Sequence, residues 1–490
     1  MTYNLPFTYL KMAPWTTASK KTSPPKLTTF FKKTSIKNGI TSKPSTSHNL
    51  DAVCCKELLQ SLRYNASNII CDGDVEECRI HPNSSYFGGI SEDEERSFCQ
   101  KCFKKELHAK NIKMDDFHEM INENEASEDV LKCIRCHDKW HRCCSFHLGS
   151  PESFVCKKHG KGHVKKIIGI KEFEKGSKHM EVRLNTFLKR RIGVKEALKS
   201  PIKVISFTAE REAAIKEHIG MVPQYYHEKL VAKFGTHIDY ATRATYVFQR
   251  QEGVDQLFFV MFTETCWNHG KDGKSWFVID YLDSVAHFQP AHLKTKVYME
   301  VIHSYMDYMR RIGYFYGHLY ANPPLQGDYY IFNVHPEWQK YPTKRRLQKW
   351  YHDMFKAGKD AGIIKSSRDF NAHKIKSAAD LPVFVDGLWA NLMKQEDTVD
   401  KEEFEEAMAY HFKQHGSDNF FIELEQPKGG VKKHDIYLYA HPILENRHLF
   451  LQECQKNNWE FGTRRRARFA SAGVISLLKS YLSDDCDMDY

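Results

Sequence analysis

Apolar and polar positions along the chain follow two periods, which predict strands and helices from about residue 172 onward. Short runs rich in aromatic and β-branched residues are typical of buried strands, and they occur in QLFFVMF (256–262), SWFVIDYL (275–282) and GDYYIFNV (327–334). Apolar residues spaced by three and four predict amphipathic helices in TKVYMEVIHSYMDYMRRIG (295–313) and TVDKEEFEEAMAYHFKQHG (398–416), and both segments end at glycine. We therefore predict an α+β or mixed α/β fold, with a central β-sheet flanked by helices.

A further helix is predicted in PTKRRLQKWYHDMF (342–355), where Thr343 is suited to be the N-cap. Its apolar face is formed by residues spaced by three and four, namely Leu347, Trp350, Tyr351 and Met354. Three cations (344–346) fall in the first turn, where the helix dipole repels cations and attracts anions. Either this is a solvated basic face, or an anionic ligand binds at the helix start. The segment alone does not decide between them.

The composition fits a chain with a sizeable core and a basic excess at one end. The 490 residues are 41% hydrophobic and 13% aromatic, which leaves room for two to four domains. Of the net charge of +10, the eight lysines of residues 1–50 supply +8, because this segment has no arginine and no acid. The segment is rich in Ser, Thr and Pro, and we predict a disordered basic tail, available for nuclear import, weak nucleic-acid contact or phosphorylation.

No apolar run approaches the roughly 18 residues that a membrane span needs, and the first residues lack the features of a secretory signal peptide. We therefore expect no membrane partner and a location in the cytosol or nucleus. Eleven of the 14 cysteines lie between residues 54 and 156. In a reducing compartment such clustering indicates metal binding rather than disulfides.

Zinc takes four nitrogen or sulfur donors in a tetrahedron, and a gap of two residues lets both side chains of a pair reach one ion. The predicted ligands are Cys54, Cys55, Cys71, Cys78, Cys99, Cys102, Cys133, Cys136, His141, Cys144, Cys156 and His159. An interleaved arrangement of the plant-homeodomain type would group Cys133, Cys136, Cys156 and His159. His141 and Cys144 would form a second site with Cys54 and Cys55 as partners. An inserted knot of the RING type would use Cys71, Cys78, Cys99 and Cys102.

We predict that residues 51–165 form this RING/PHD-type module and that its zinc ions are structural, because protein ligands fill every position. The module could read a histone tail, with Trp140 in a methyl-lysine cage, or recruit a ubiquitin-conjugating enzyme. An aromatic residue at that position is more often part of the finger core, and irregular ligand spacing opposes a ubiquitin ligase. A scaffold for the next domain is the expectation that we adopt.

Several motifs in the second half carry a resemblance. DYLDSVAHFQP, KTKVY, GHLYANPPLQGDYYIFNVHP and RLQKWY, in this order, resemble the catalytic core of the CREB-binding protein family of histone acetyltransferases. The likeness extends upstream through MEVRLNTFLKRRI and the order of paired zinc ligands, and downstream through EFGTRRRARFAS. It covers the chain from about Cys54 to near Leu482. A phosphate-binding loop rich in glycine is absent from this region, so phosphate would be held by side chains and a helix terminus.

The resemblance implies an acetyl-CoA site and assigns roles residue by residue. The implied cofactor-binding residues are Leu282, Asp283, Ser284, Lys294, Thr295, Tyr298, Lys340, Tyr341, Arg346 and Trp350. Arg346 matches an arginine that binds the cofactor phosphates, which would explain the cations at the helix start. Tyr351 matches a tyrosine regarded as the general acid. A phenol with a pKa near 10 is protonated at pH 7 and can donate to the departing thiolate.

Two residues depart from the family pattern. Lys294 replaces an arginine, which keeps the charge but loses the bidentate fork for phosphate. Tyr320 replaces a tryptophan that helps to form the tunnel for the substrate lysine, and we include it with Tyr351 as a catalytic candidate. These departures put substrate geometry and rate in question rather than the fold.

We interpret the chain as a nuclear lysine acetyltransferase with a tail (1–50), a zinc module (51–165) and a catalytic domain (166–490). The resemblance implies acetyl-CoA and Zn²⁺ as cofactors, and histones, other basic proteins and transcription factors as substrates or partners. One alternative is a catalytically weak relative that acts as a zinc-finger scaffold on chromatin or transcription factors, which the two departures favour. A ubiquitin ligase adaptor is a second alternative.

Overall fold

The computed structural model describes residues 54–55, 62–73, 78–91, 94–160, 167–168, 177–373, 375, 377–385, 387–396, 398–431 and 440–485. The chain divides into two compact units. The first comprises Met1–Arg142 with Pro151–His159, and the second comprises Cys143–Ser150 with Gly160–Tyr490. The predicted basic tail lies outside the described residues.

The first unit is built from short antiparallel strands. These strands are Ile69–Ile70 (β1), Arg79–Ile80 (β2), Ser85–Ser91 (β3), Glu94–Cys99 (β4), Phe117–Ile121 (β5), Val130–Lys132 (β6) and Lys139–His141 (β7). They form one three-stranded sheet in the order β4-β3-β5 and two pairs, β1-β2 and β6-β7. Two small apolar clusters support them, one around Phe98, Phe103 and Phe117 and the other around Leu131 and Trp140.

The second unit contains a seven-stranded sheet. Its strands are Ile202–Ala214 (β8), His237–Gln251 (β9), Val254–His269 (β10), Lys274–Ser284 (β11), Tyr316–Tyr320 (β12), Ile364–Asp369 (β13) and Asn419–Leu424 (β14). Their order across the sheet is β13-β14-β12-β11-β10-β9-β8, and every neighbouring pair is antiparallel except β11 and β12. The parallel pair requires a crossover, and one long helix lies between these two strands in the chain.

The α-helices are Gln100–His108 (α1), Arg142–Ser145 (α2), Lys178–Ile192 (α3), Val194–Lys199 (α4), Ile215–Ile219 (α5), Gln224–Phe234 (α6), Lys294–Ile312 (α7), Lys344–Asp360 (α8), Phe370–His373 (α9), Leu388–Glu396 (α10), Lys401–His415 (α11), Arg447–Lys456 (α12) and Arg464–Asp485 (α13). The crossover between β11 and β12 is α7. Within the described residues, none of these helices has the length and apolar character that crossing a bilayer requires.

Helices cover both faces of the large sheet. Successive residues of a strand point to opposite faces, and in β11 Phe277 and Ile279 enter one apolar cluster while Trp276 and Val278 enter another. Helices α3, α7, α8 and α13 contribute to the first cluster, and α5, α6, α10 and α11 contribute to the second. This arrangement confirms the predicted α+β fold, with a central sheet flanked by helices.

The three predicted helices and two of the three predicted strands are present. Residues 327–334 do not form a strand, so that prediction was wrong. Ile331 and Phe332 are fully buried. The Phe332 amide, however, donates to the side-chain carboxylate of Asp283 (3.3 Å) rather than to a backbone carbonyl of a neighbouring strand, and Val334 has a φ of 59°. The aromatic and β-branched pattern indicated burial correctly, and burial does not require a sheet.

Candidate cofactor and metal sites

Asp283, near the end of β11, fixes a loop against the strand that carries it. Its Oδ1 accepts from the Ser284 amide (2.7 Å) and lies 2.9 Å from His335 Nε2, while Oδ2 accepts from the Phe332 amide. The carboxylate is almost fully buried. Asp283 was predicted to bind the cofactor, and its side chain is engaged in holding residues 331–335 in position.

Gln339 and Tyr298 fix the backbone that follows Asp283. The Gln339 amide donates to the Ser284 carbonyl (2.8 Å) and accepts from the Ala286 amide (2.8 Å). The Tyr298 hydroxyl, on α7, donates to the carbonyl of Val285 (3.0 Å). The loop after β11 is therefore held from two sides. Sequence reasoning missed Gln339, although it lies between the quoted motifs.

Tyr330 connects this loop with helix α8. Its hydroxyl donates to the Leu282 carbonyl (2.8 Å). Burial, together with the proximity of Asp283, Tyr351 and Tyr341, raises the pKa of Tyr330 well above its usual range. Four predicted site residues therefore lie near the buried phenol of Tyr330, namely Leu282, Asp283, Tyr341 and Tyr351. The sequence pattern had assigned Tyr330 to a strand.

Tyr351 lies on the apolar face of α8 and is 5% exposed. Its ring packs near those of Trp350, Phe355 and Phe420. Burial raises the pKa of Tyr351, so the phenol is protonated at neutral pH. Among the described residues none is hydrogen-bonded to its hydroxyl, which leaves the proton available for a ligand.

The first turn of α8 presents two cations to solvent. Thr343 caps the helix by accepting from the Arg346 amide (3.4 Å), as predicted. Lys344 forms an ion pair with the buried Asp418. Arg345 and Arg346 are exposed, and no carboxylate among the described residues pairs with either guanidinium.

Another predicted cofactor-binding residue, Lys294, lies at the start of α7. Lys294 is its first residue, and Nζ lies 5.8 Å from the centre of the Trp338 ring. Burial lowers the pKa of Lys294. Trp338, which is 62% exposed, was missed by sequence reasoning. The predicted cofactor-binding residues Thr295 and Lys340 are both exposed.

The two candidate catalytic tyrosines pack in different apolar clusters, but both lie close to the start of β14, where Tyr320 pairs with Asn419 and the Tyr351 ring lies 6.1 Å from that of Phe420. Tyr351 packs in the first apolar cluster, and Tyr320, the last residue of β12, packs against the second. The Tyr320 hydroxyl lies 3.3 Å from Nδ1 of His415. Asp418 lies near both regions, because it pairs with Lys344 of α8 and adds to the effect of burial in raising the pKa of Tyr320.

Residues 184–426 match the family model for the histone acetyltransferase domain KAT3. These residues form a domain of this family. All of the predicted cofactor-binding and catalytic residues, from 282 to 351, lie inside the matched range, and the predicted metal ligands precede it.

Curated relatives agree with this assignment. The chain is 30% identical over 391 aligned residues to Protein cbp-1 of Caenorhabditis elegans, covering 72% of this chain and 19% of that protein. It is 23% identical to the probable histone acetyltransferase HAC-like 1 of Oryza sativa subsp. japonica (66% and 23% covered) and 33% identical to the histone acetyltransferase HAC4 of Arabidopsis thaliana (32% and 12%). The chain thus spans less than a quarter of the length of these relatives.

Before the KAT3 match, cysteine and histidine side chains form compact groups. Two complete groups are Cys71, Cys78, Cys99 and Cys102, and Cys133, Cys136, Cys156 and His159. Within each group the donor atoms lie within 4.8 Å of one another. A zinc tetrahedron with Zn–S bonds of about 2.3 Å has edges of about 3.8 Å. The Cys78 sulfur lies 3.6 Å from that of Cys99 and 3.9 Å from that of Cys102, so the donors fit zinc.

A third group is formed in the first unit by the adjacent cysteines and a histidine. His141 Nδ1 lies 3.0 Å from the Cys55 sulfur and 3.5 Å from the Cys54 sulfur. Cys144 as the fourth ligand stays a prediction, because it lies beyond the division between the units. Trp140 is buried in the apolar cluster of its own unit, so it serves the finger core and not a methyl-lysine cage.

Proposed function

We propose that this chain is a lysine acetyltransferase that transfers the acetyl group of acetyl-CoA to the ε-amine of protein lysines. The observation that carries the proposal is the buried phenol of Tyr351 beside the Asp283–Tyr330 network. The exposed cations at the start of α8 supply a second feature, because the cofactor carries several phosphates.

In this proposal the residues divide into three groups by task. The backbone of residues 282–286, held by Asp283 and Gln339, forms one wall of the acetyl-CoA site. Arg346 and Lys294 attract phosphate at the starts of two helices. The remaining cofactor-facing residues are Thr295, Tyr298, Lys340, Tyr341 and Trp350.

Tyr351 is proposed to act as the general acid. When the lysine amine attacks the thioester carbonyl, negative charge develops on sulfur as the C–S bond breaks. A phenol kept protonated by burial donates its proton there, so the product leaves as a thiol. A tyrosinate could not do this, and the raised pKa of Tyr351 prevents its formation at neutral pH.

The proposed substrates are histones and other basic proteins, and the proposed location is the nucleus. The support is the KAT3 match together with relatives that are named histone acetyltransferases. Transcription factors are proposed as further partners, and the tail is proposed to make weak contact with nucleic acid. Zinc is proposed to have a structural role in the cysteine groups, since protein donors fill all four positions of the complete groups.

Transfer of radiolabelled acetyl groups to core histones tests the proposal. Wild-type protein is compared with Tyr351→Phe and with Tyr225→Phe, an exposed tyrosine on α6 that serves as the matched control. We expect the first variant to lose about 10²- to 10⁴-fold in kcat while it retains acetyl-CoA binding, and the control to be unchanged.

Equal rates for wild-type protein and Tyr351→Phe would remove the proton-donor assignment. No transfer by any of the proteins, with acetyl-CoA binding intact, would favour the scaffold function that the Lys294 and Tyr320 departures suggested.

A further inference from the structure

Acetyl transfer also requires a group that takes a proton from the substrate lysine. A free lysine amine has a pKa of about 10.4, so nearly all of it arrives as the ammonium ion. Tyr351 is protonated and can only donate at this stage. The proton acceptor must therefore be a different group.

His415 has the position and the environment that an acceptor needs. It ends helix α11, is half-buried, and its Nδ1 lies 3.3 Å from the Tyr320 hydroxyl. The two rings meet edge to face, with centroids 5.9 Å apart and an angle of 79° between their planes. Tyr320 is the residue that replaces the tryptophan of the lysine tunnel in the resembling family.

Burial, together with two neighbouring side chains, favours the neutral form of His415. Burial lowers the pKa of His415, and the nearby His411 of the same helix and Lys344 of α8 lower it further, while Asp418 opposes them. A neutral imidazole at pH 7 has a free nitrogen lone pair and can accept a proton. Burial and Asp418 raise the pKa of Tyr320, so its hydroxyl keeps its proton until another replaces it.

We propose that His415 is the proton acceptor for the substrate ammonium and that the Tyr320 hydroxyl relays the proton to it. This inference rests on the proposed acetyltransferase function. The hydroxyl oxygen of Tyr320 takes a proton from the lysine nitrogen while its own proton passes to Nδ1 of His415. The phenol is regenerated in the same step, and the imidazole becomes an imidazolium.

The protons balance over the whole reaction. The lysine ammonium carries three N–H protons and the product amide carries one. The first proton lost goes through Tyr320 to His415 and then to solvent. The amine forms the C–N bond, the C–S bond breaks, and Tyr351 protonates the sulfur. The second proton, lost as the tetrahedral intermediate collapses, restores the Tyr351 phenol.

The relay depends on a residue that the family pattern does not have. An indole N–H donates but has no lone pair with which to accept, so tryptophan at this position could not pass a proton to His415. A tyrosine hydroxyl does both. The exchange at position 320 therefore supplies this chain with a proton path, rather than only altering the width of a tunnel.

The pH dependence of kcat/KM for a histone peptide tests the relay. If His415 accepts the proton, the reacting species are neutral His415 and the lysine ammonium. The value of kcat/KM then increases with pH up to the lowered pKa of His415, and it is level above that pKa until the pH approaches the lysine pKa. Without an acceptor, only the free amine reacts, and kcat/KM rises tenfold for each pH unit across the same range.

We expect His415→Gln and Tyr320→Phe each to lower kcat/KM at pH 7 by about 10²-fold or more and to replace the level region with the tenfold slope. The double variant should be no slower than either single variant, because both residues serve one path. His237→Gln, an exposed histidine on β9, is the matched control and should keep the wild-type profile. Imidazole in the buffer should restore part of the activity of His415→Ala.

A level profile in both single variants would overturn the relay, and so would losses that multiply in the double variant. Acetyl-CoA binding and the thermal midpoint of each variant separate loss of folding from loss of the proton path. If wild-type protein transfers no acetyl group at any pH, the proposed function itself fails. If wild-type protein is active but His415→Gln keeps its profile, only the relay fails.

Discussion

Cysteine side chains have different environments in the two units of this chain. In the first unit, thiols lie beside other thiols and histidines in groups whose donors are within 4.8 Å of one another. In the second unit, Cys266 and Cys454 are fully buried in separate apolar clusters, and burial raises the pKa of each thiol well above its usual range. The first kind of cysteine is suited to bind metal as a thiolate, and the second behaves as a small apolar residue.

This difference reflects how each unit obtains its stability. Among the described residues, the apolar clusters of the first unit are small, with eight buried residues around Phe103 and five around Trp140. Clusters of this size provide little burial energy, and we expect bound zinc to supply the remaining stability. The second unit has two extensive clusters on the faces of a seven-stranded sheet, and apolar burial is sufficient there.

Metal removal should have the largest effect and should act on one unit only. Structural zinc contributes about 10 to 16 kcal/mol to small zinc domains, so a chelator should unfold the first unit. Hydrogen exchange measured by mass spectrometry on the full chain should show loss of protection in β3, β4 and α1. Protection in β9, β10 and β11 should be unchanged.

Cys71→Ser is the genetic counterpart of the chelator, because it removes one donor from a complete group. It should lower the zinc content and expose the same peptides. If hydrogen exchange increased equally in both units after chelation, the proposal that only the first unit depends on metal for its stability would be wrong.

The second unit should be sensitive instead to the loss of one buried charge. Asp307 on α7 is 2% exposed, and its carboxylate accepts from Arg310 (2.7 Å) and Arg311 (3.1 Å) and lies 2.7 Å from His179 Nε2. Asp307→Asn leaves these cations without their common partner, and we expect it to lower the free energy of unfolding by about 3 to 5 kcal/mol. Urea denaturation followed by tryptophan fluorescence measures this loss.

The same carboxylate predicts a pH dependence. Burial alone would raise the pKa of Asp307, but the bonds from His179 and Arg310 and the charges of Arg310 and Arg311 outweigh it and lower the pKa. A lowered pKa stabilises the fold above the unfolded value of about 3.9, and this stabilisation is lost as the pH falls below it. Asp307→Asn should therefore flatten the acid limb of the stability curve. An unchanged acid limb would contradict the assignment.

Sequence patterns predicted the parts of this molecule that depend on neighbours in the chain. Helices α7, α8 and α11 follow from local spacing, and Thr343 caps α8 as expected. Pairs such as Cys133 and Cys136 indicated ligand groups because a short gap already places two donors near one point. Residues 327–334 were assigned wrongly because burial, not strand pairing, selects their aromatic side chains.

Residues of the candidate site could be predicted only where they lie in a motif that resembles the family pattern. The face of Tyr320 depends on the register of a five-residue strand, which the sequence does not specify. Its partner His415 lies 95 residues away along the chain, beyond any local pattern. The contact between the Asp283 carboxylate and His335 likewise depends on how the loop folds, so the sequence did not predict it.

The smallest effect should come from the isolated thiol of Cys454 on α12, which is fully buried in the first apolar cluster. Cys454→Ser keeps the size of the side chain but buries a hydroxyl among apolar groups, which costs about 1 to 3 kcal/mol when no partner is available. Cys454→Ala creates a small cavity without adding polarity, and it should be less destabilising than serine. Both variants should retain the zinc content of wild-type protein. A serine variant as stable as wild-type protein, or one that loses zinc, would mean that this thiol is not simply an apolar core residue.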